Sequence, residues 1–178
     1  MTLYSVGAMS ELTGRLAQGD DVAFTELYDV YGDRLHHYLT VKLASRENAD
    51  DVLQETFIRL IRLRHRLKDV ADLAAYVFTI ARNEAARYRS RQDLDASRRA
   101  GLKAADLFVE YSGEDAEIAA AALNRLDKDE REVVEMKIYA GLTFREIAEV
   151  SGVPQGTVAT RYRSAMERLK RWLNEESL

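Results

Sequence analysis

The stretch 160–171 carries side chains suited to meeting a nucleic acid: Thr160, Arg161, Arg163, Ser164, Glu167, Arg168, Lys170 and Arg171. Between Arg161 and Arg171 five basic residues stand against one acid, Glu167. At roughly 100° per residue, Thr160, Arg163, Ser164, Glu167 and Arg171 project from one side of a helix, with Arg161 and Arg168 along its flanks. Such side chains can reach base edges in the major groove of B-DNA while flanking arginines hold phosphates. The plainer alternative is an amphipathic helix with a solvated basic face. Catalytic chemistry finds no comparable footing. His36 and His37 are neighbours and diverge on a helix, His65 stands alone, and the chain has no cysteine, so no metal site is expected. There is neither a phosphate-cradling glycine loop nor a serine elbow, and the chain is read as a non-enzyme without cofactor.

The elements that must position this basic face are legible in the residues before it. Thr143 is a good N-cap with Glu146 three residues on, where a capping-box partner belongs, and Phe144, Ile147, Ala148 and Val150 give a short helix its apolar face. Ser151-Gly152-Val153 makes a tight connection, and Pro154 can start but not continue a helix. Val158, Tyr162, Ala165, Leu169 and Trp172 then recur at helical spacing along a second, longer helix. Cap, glycine turn and basic helix together form a helix-turn-helix candidate.

With one proline, nine glycines and no alternating runs in 178 residues, the fold class is all-α. A short helix around Met9–Gln18 closes at Gly19. A long one, capped by Asp20 or Asp21, carries Phe24, Leu27, Tyr28, Tyr31, Leu35, Tyr38 and Leu39 on a stripe read as core. The next opens at Asn48 or Ala49. It buries Leu53, Phe57 and Leu60 and presents Asp51, Glu55, Ile58 and Arg62 on the opposite face, where an isoleucine among acids suits a protein partner. After a polar pause with Asp72 as cap, a helix with Leu73, Val77, Ile80, Ala81 and Tyr88 inward ends in a run of arginines. Tyr76 and Phe78 beside them would suit stacking against a single strand; complementing the helix dipole is the other explanation. Residues 93–115 mix charges of both signs and read as a linker between domains 1–92 and 116–178. Ile118, Ala121, Leu123 and Leu126, then a helix capped by Asp127, begin the second domain.

The formal charge is −4, from 26 Lys and Arg against 30 Asp and Glu, which disfavours tight unaided DNA binding. Basic clusters nonetheless lie at Arg59–Lys68 and Arg82–Arg99. No basic leader with an apolar run opens the chain and no long apolar run interrupts it, so a cytoplasmic protein without membrane insertion is expected.

These residues carry a family resemblance. The segments AQGDDVAFTELYDVYGDRL, ADDVLQETFIRL, AAYVFTIARNEAARYRSRQ and LNRLDKDEREVVEMKIYAGLTFREIAEVSGVPQGTVATRYRSAMERLKRWL resemble, in order, an RNA polymerase sigma factor of the sigma-70 family, extracytoplasmic-function (ECF) subgroup. The resemblance implies a region 2 helical bundle and a region 4 helix-turn-helix joined by a flexible linker. It implies that Asp51, Gln54, Glu55 and Ile58 dock on core RNA polymerase. Tyr76, Arg82, Asn83, Arg87 and Arg89 would then meet the −10 element of promoter DNA. Thr157, Thr160, Arg161, Arg163, Ser164 and Arg168 would meet the −35 element. Many members of the family are held by an anti-sigma factor, and the exposed apolar faces expected here suit one. Two other readings stand beside it: a stand-alone helix-turn-helix regulator, and a sigma-like interaction protein that has lost promoter reading. Tyr76 stands where the family often has tryptophan, and Ala159 and Ser164 stand where it is often basic, so an unusual −35 preference is expected.

Overall fold

Caps written into the sequence decide where this chain turns. In the computed structural model, which describes residues 6–98 and 114–176, every regular element is helical. In order they are α1 (Val6–Gln18), α2 (Asp21–Leu43), α3 (Arg46–Arg62), a 3-10 turn (Arg64–Asp69), α4 (Leu73–Arg98), α5 (Glu114–Asn124), α6 (Lys128–Ile138), α7 (Phe144–Ser151) and α8 (Gln155–Glu176). Asp20 starts α2, its carboxylate accepting from the amides of Val22 at 2.9 Å and Ala23 at 3.3 Å. Asp72 starts α4 by accepting from Ala75 N at 3.0 Å, and Asp127 starts α6 by accepting from Glu130 N at 2.9 Å. The opening of α3 comes earlier than its apolar pattern suggested. Ser45, not Asn48 or Ala49, is the cap, its hydroxyl accepting from Asn48 N at 3.2 Å. At its far end α4 runs on through Gln92 to Arg98, so the domain seam expected at 92 falls inside a helix; most of the expected linker, 93–115, lies outside the described residues.

Helices α1 to α4 build the first core. Leu12, Leu16, Leu27, Leu35, Leu39, Leu60, Leu67 and Val77 are all buried, and Tyr38 meets Phe78 edge-on with ring centroids 5.8 Å apart. Two aromatic expectations need correcting. Tyr28 is not core: it stays 51% exposed, leaning over Gly32, where an added Cβ would sit 3.3 Å from the ring, and against Phe57 at 5.1 Å. A stripe spaced by threes and fours drifts around a helix of 23 residues, and Tyr28 lies at its edge. Phe78 is not available for stacking on a nucleic-acid strand: it is 1% exposed, because its neighbours on α4 turn it towards α2.

Helices α5 to α8 form the second unit. Thr143 and Glu146 close a complete capping box at the start of α7, and Gly152 ends that helix at φ 71°, a left-handed conformation that costs glycine little. Ala122, Leu123, Leu126, Val134, Ala165 and Leu169 make a small core with Trp172 packed on it. The two units are not separate, however. Val133, Met136, Ala140, Leu142, Ile147, Val150 and Val158 continue the first core without a break, with α7 packed against α4 and α6 against α2. Among the described residues no helix is long and apolar enough to cross a membrane.

Candidate nucleic-acid interface

On α8 the expected reading face splits in two. Thr160 and Arg163 are exposed, as are Glu167, Lys170 and Arg171 beyond them. Thr160 Oγ1 donates back to Gly156 O at 2.9 Å, which leaves its lone pairs and methyl outward. Thr157 is half-buried at the entry to the helix. The other members face α6. Ser164 Oγ donates to Glu130 Oε1 at 2.8 Å, and Arg168 Nη1 donates to Glu130 Oε2 at 3.0 Å. Arg161 pairs with Asp129. The expectation that Ser164 projects outward is therefore corrected: one residue, or about 100°, beyond Arg163, it falls on the flank where the acidic first turn of α6 approaches. What remains outward is a strip of hydroxyl and guanidinium groups at the beginning of a long helix, behind a rigidly capped turn. That geometry fits a major groove, with the helix's first exposed turns nearest the bases.

The residues expected to hold a melted strand also divide. By spacing, Tyr76, Asn83 and Arg87 share one side of α4, and Arg82 and Arg89 another. Tyr76 is half-buried and Asn83 is exposed. Arg87 Nη1 donates to Glu84 Oε1 at 2.6 Å, drawing it towards α3, whereas Arg89 reaches the Lys42 carbonyl on α2. Arg82 is engaged by the second unit, with Nε and Nη2 donating to Glu132 Oε1 and Oε2 at 2.9 and 3.0 Å. A bidentate guanidinium–carboxylate pair is among the strongest polar contacts a side chain makes.

Asp51, Gln54 and Glu55 are exposed on α3 and line a cavity of about 330 Å³ with Val52, Glu84, Tyr88, Arg91 and Gln92. Ile58, one turn on, is half-buried rather than fully exposed. The cavity is therefore acidic on its α3 wall and of mixed charge on its α4 wall, where Glu84 and Arg91 both line it, which suits a charged protein segment better than an apolar ligand. Among the described residues no cluster of His, Cys, Asp or Glu has the makings of a metal site; His36 Nε2 lies 3.1 Å from Asp50 Oδ1 and nothing else joins them.

Sequence reasoning missed Lys42 and Arg34. Lys42 Nζ donates to Glu132 Oε1 at 3.0 Å and Glu135 Oε2 at 3.2 Å. Burial opposes its charge, but Tyr38, Glu135 and Glu132 outweigh burial and hold its pKa above the ordinary lysine value. Arg34 Nε donates to Ala140 O at 2.8 Å at the C-terminal end of α6, where carbonyls are left over and a cation is welcome. The available signal was a lysine on the apolar stripe of α2, four residues after Tyr38, which asks for a buried acid from elsewhere. Glu132 supplies it. Burial pushes its carboxyl up, and Arg82 with Lys42 more than reverses that, bringing it from 4.5 down to about 2.

An acid whose native pKa is depressed adds stability that is present above its ordinary pKa and is lost as pH falls through the native one. The contribution of Glu132 is thus complete above about pH 4.5 and fades towards about pH 2. At 1.36 kcal/mol per unit it is worth on the order of 3 kcal/mol. Acid unfolding followed by circular dichroism should show Glu132→Gln with a shallower loss of stability across that window than the parent chain. Equal slopes would remove Glu132 from the account.

Comparison with known proteins agrees with the order of these parts. Residues 27–94 match the family model described as Sigma-70 region 2, and residues 116–169 match Sigma-70, region 4. The ECF RNA polymerase sigma factor BldN of Streptomyces coelicolor is 31% identical over 95% of this chain and 67% of its own length. The ECF RNA polymerase sigma factor RpoE of Cereibacter sphaeroides is 27% identical over 87% of this chain and 88% of its own. The solved structure of CnrH in complex with the cytosolic domain of CnrY has the same fold, with a TM-score of 0.69 at 24% identity, covering 93% of this chain and 97% of CnrH. The capped turn and basic strip on α8, the acidic face on α3, and both matched regions in their expected sequence place the chain in the sigma-70 family of RNA polymerase sigma factors, in its ECF group.

Proposed function

We propose that this sigma factor divides its work between two reading surfaces that core RNA polymerase positions along a promoter. The exposed Thr160 and Arg163 on α8 read the −35 element from the major groove. The Asn83 side of α4, with Tyr76 and the arginines beyond it, receives the −10 element once the duplex opens. The α3 wall of Asp51, Gln54 and Glu55, with Ile58 beside it, docks on the polymerase. Polymerase supplies the catalysis and most of the non-specific affinity, and the protein works in the cytoplasm. A net charge of −4 fits that arrangement, because a factor that held DNA strongly by itself would be titrated by the genome. The observation that carries the reading is the exposure of Thr160 and Arg163 behind the Thr143–Glu146 box, inside a chain that matches both sigma regions. A stand-alone dimeric regulator is not favoured, since region 2 would then have no task. CnrH and the Bartonella quintana sigma factor RpoE were solved bound to CnrY and to the anti-sigma factor NepR, and an anti-sigma factor is the proposed regulatory partner here.

Transcription from a promoter library with purified core polymerase, with and without this chain, tests the reading; start sites that do not move overturn it. Within it, Arg163→Ala should weaken binding to the preferred −35 sequence by about 1–3 kcal/mol and relax specificity there, if its contact is to a base edge. A uniform loss on all sequences, with a shallower salt dependence, reassigns Arg163 to a phosphate.

A further inference from the structure

The contacts between the two units engage Arg82, one of the side chains expected to meet the −10 strand. Glu132 sits between Arg82 of α4, which grips both of its oxygens at 2.9 and 3.0 Å, and Lys42 of α2, which donates to one of them at 3.0 Å. A fork-shaped guanidinium and an ammonium converging on paired anionic oxygens is the arrangement that also binds a phosphodiester. The carboxylate comes from the second unit and both cations come from the first. Lys42 and Glu132 are only 13% and 14% exposed in this closed form, so the contact is shielded from solvent as well as paired. Further pins hold the closure: Arg34 on the Ala140 and Gly141 carbonyls, and Arg145 of α7 on Asp72, the N-cap of α4, at 2.7 Å.

We propose that this closed arrangement is self-inhibited, with the Glu132 carboxylate standing in for a DNA phosphate on the Lys42–Arg82 pair. The proposal rests on the promoter-binding reading above and adds Lys42 to the strand-binding residues. Separation of α6 from α2 and α4 leaves two cations unpaired on the first unit and two acids, Glu132 and Glu135, unpaired on the second. Opening exposes the apolar side chains of α6 and α7 that continue the first core and gives up the shielded ion pairs, so the open form is disfavoured until something anionic takes the vacated place. A nucleic-acid backbone does so, and it shifts the equilibrium only because it binds the open form and not the closed one. Closure and strand binding are then mutually exclusive at the same guanidinium.

The test uses the full chain. It has no cysteine, so single cysteines introduced at exposed Asp29 on α2 and exposed Glu149 on α7 can carry a dye pair. Glu132→Gln keeps the shape and removes the charge. It should lower energy transfer and tighten binding of a fluorescent single-stranded oligodeoxynucleotide by about tenfold, the factor expected where the competent form is about a tenth of the parent population. The double variant Lys42→Gln with Glu132→Gln should open equally without that gain. Unchanged transfer and affinity in Glu132→Gln, or the full gain in the double variant, overturns the proposal. Should Glu132→Gln lose its helical signal, the parent chain carries the test: saturating oligonucleotide must lower transfer, and constant transfer overturns closure as inhibition. Promoter-specific transcription with core polymerase separates the two levels. A parent chain inactive there sinks the functional reading, whereas an active one that never opens sinks only the inhibition.

Discussion

Phe78→Ala should cost about 3–5 kcal/mol of folding stability, the range for deleting a fully buried aromatic side chain. Phe78 is 1% exposed and packs edge-on against Tyr38, which is itself completely buried. Burial pushes the Tyr38 phenol up to about 12, so it stays neutral, and no charge forms to draw water into the space a truncation would leave. The centroid of the Phe78 ring also lies 5.5 Å from the Arg34 guanidinium carbon, within range of a cation–π contact. Arg34 in turn holds the Ala140 and Gly141 carbonyls at the end of α6. The cavity therefore opens in the first core and also removes the surface on which a pin between the units rests. Denaturant unfolding should register the stability loss. Phe78→Leu, which keeps most of the volume, should cost about 1.5 kcal/mol or less. If the alanine variant loses under 1 kcal/mol, Phe78 is exposed in solution and the stacking role discarded above returns.

The residues that were legible in the sequence share one property: their partners are local. Asp20, Asp72, Asp127 and the Thr143–Glu146 box each satisfy amides within three residues, so spacing alone locates them. The positive φ of Gly152 follows from the helix it ends. The apolar stripes of α4 and α8 were likewise readable, because their period does not depend on what they pack against. Failures came where the partner lies far along the chain. Nothing near Ser164 or Arg168 announces that Glu130, 34 and 38 residues earlier, will claim them. Nothing near Arg82 announces Glu132, 50 residues later. Periodicity says which way a side chain points and is silent about which charge comes to meet it. Family resemblance has the same blind spot, since it assigns a role in a complex and not the contacts of the chain alone.

Glu55→Arg should abolish most association with core RNA polymerase while leaving the fold intact. Glu55 is exposed on α3, beside Asp51 and Gln54 on one wall of the cavity that Tyr88, Arg91 and Gln92 close from α4. No described hydrogen bond or salt bridge to Glu55 is lost on substitution, and surface changes of this kind usually alter stability by less than about 0.5 kcal/mol. The effect must therefore come from the partner. A docking surface for an acidic wall is basic, and reversing one acid brings like charges together at a cost of several kcal/mol, on the order of a hundredfold or more in affinity. Because the acids are solvent-exposed before docking, part of the loss should appear as slower association that depends on salt. Glu55→Gln separates charge from shape: it should lose far less than the reversal. The control is Glu149→Arg on α7, an exposed acid outside the proposed docking wall, which should leave polymerase binding unchanged. If Glu55→Arg assembles with core polymerase as the parent does, at low and at physiological salt, the acidic wall of α3 is not the docking face. The polymerase contact must then be sought elsewhere on the first unit, such as the exposed Tyr28 and its neighbour Phe57.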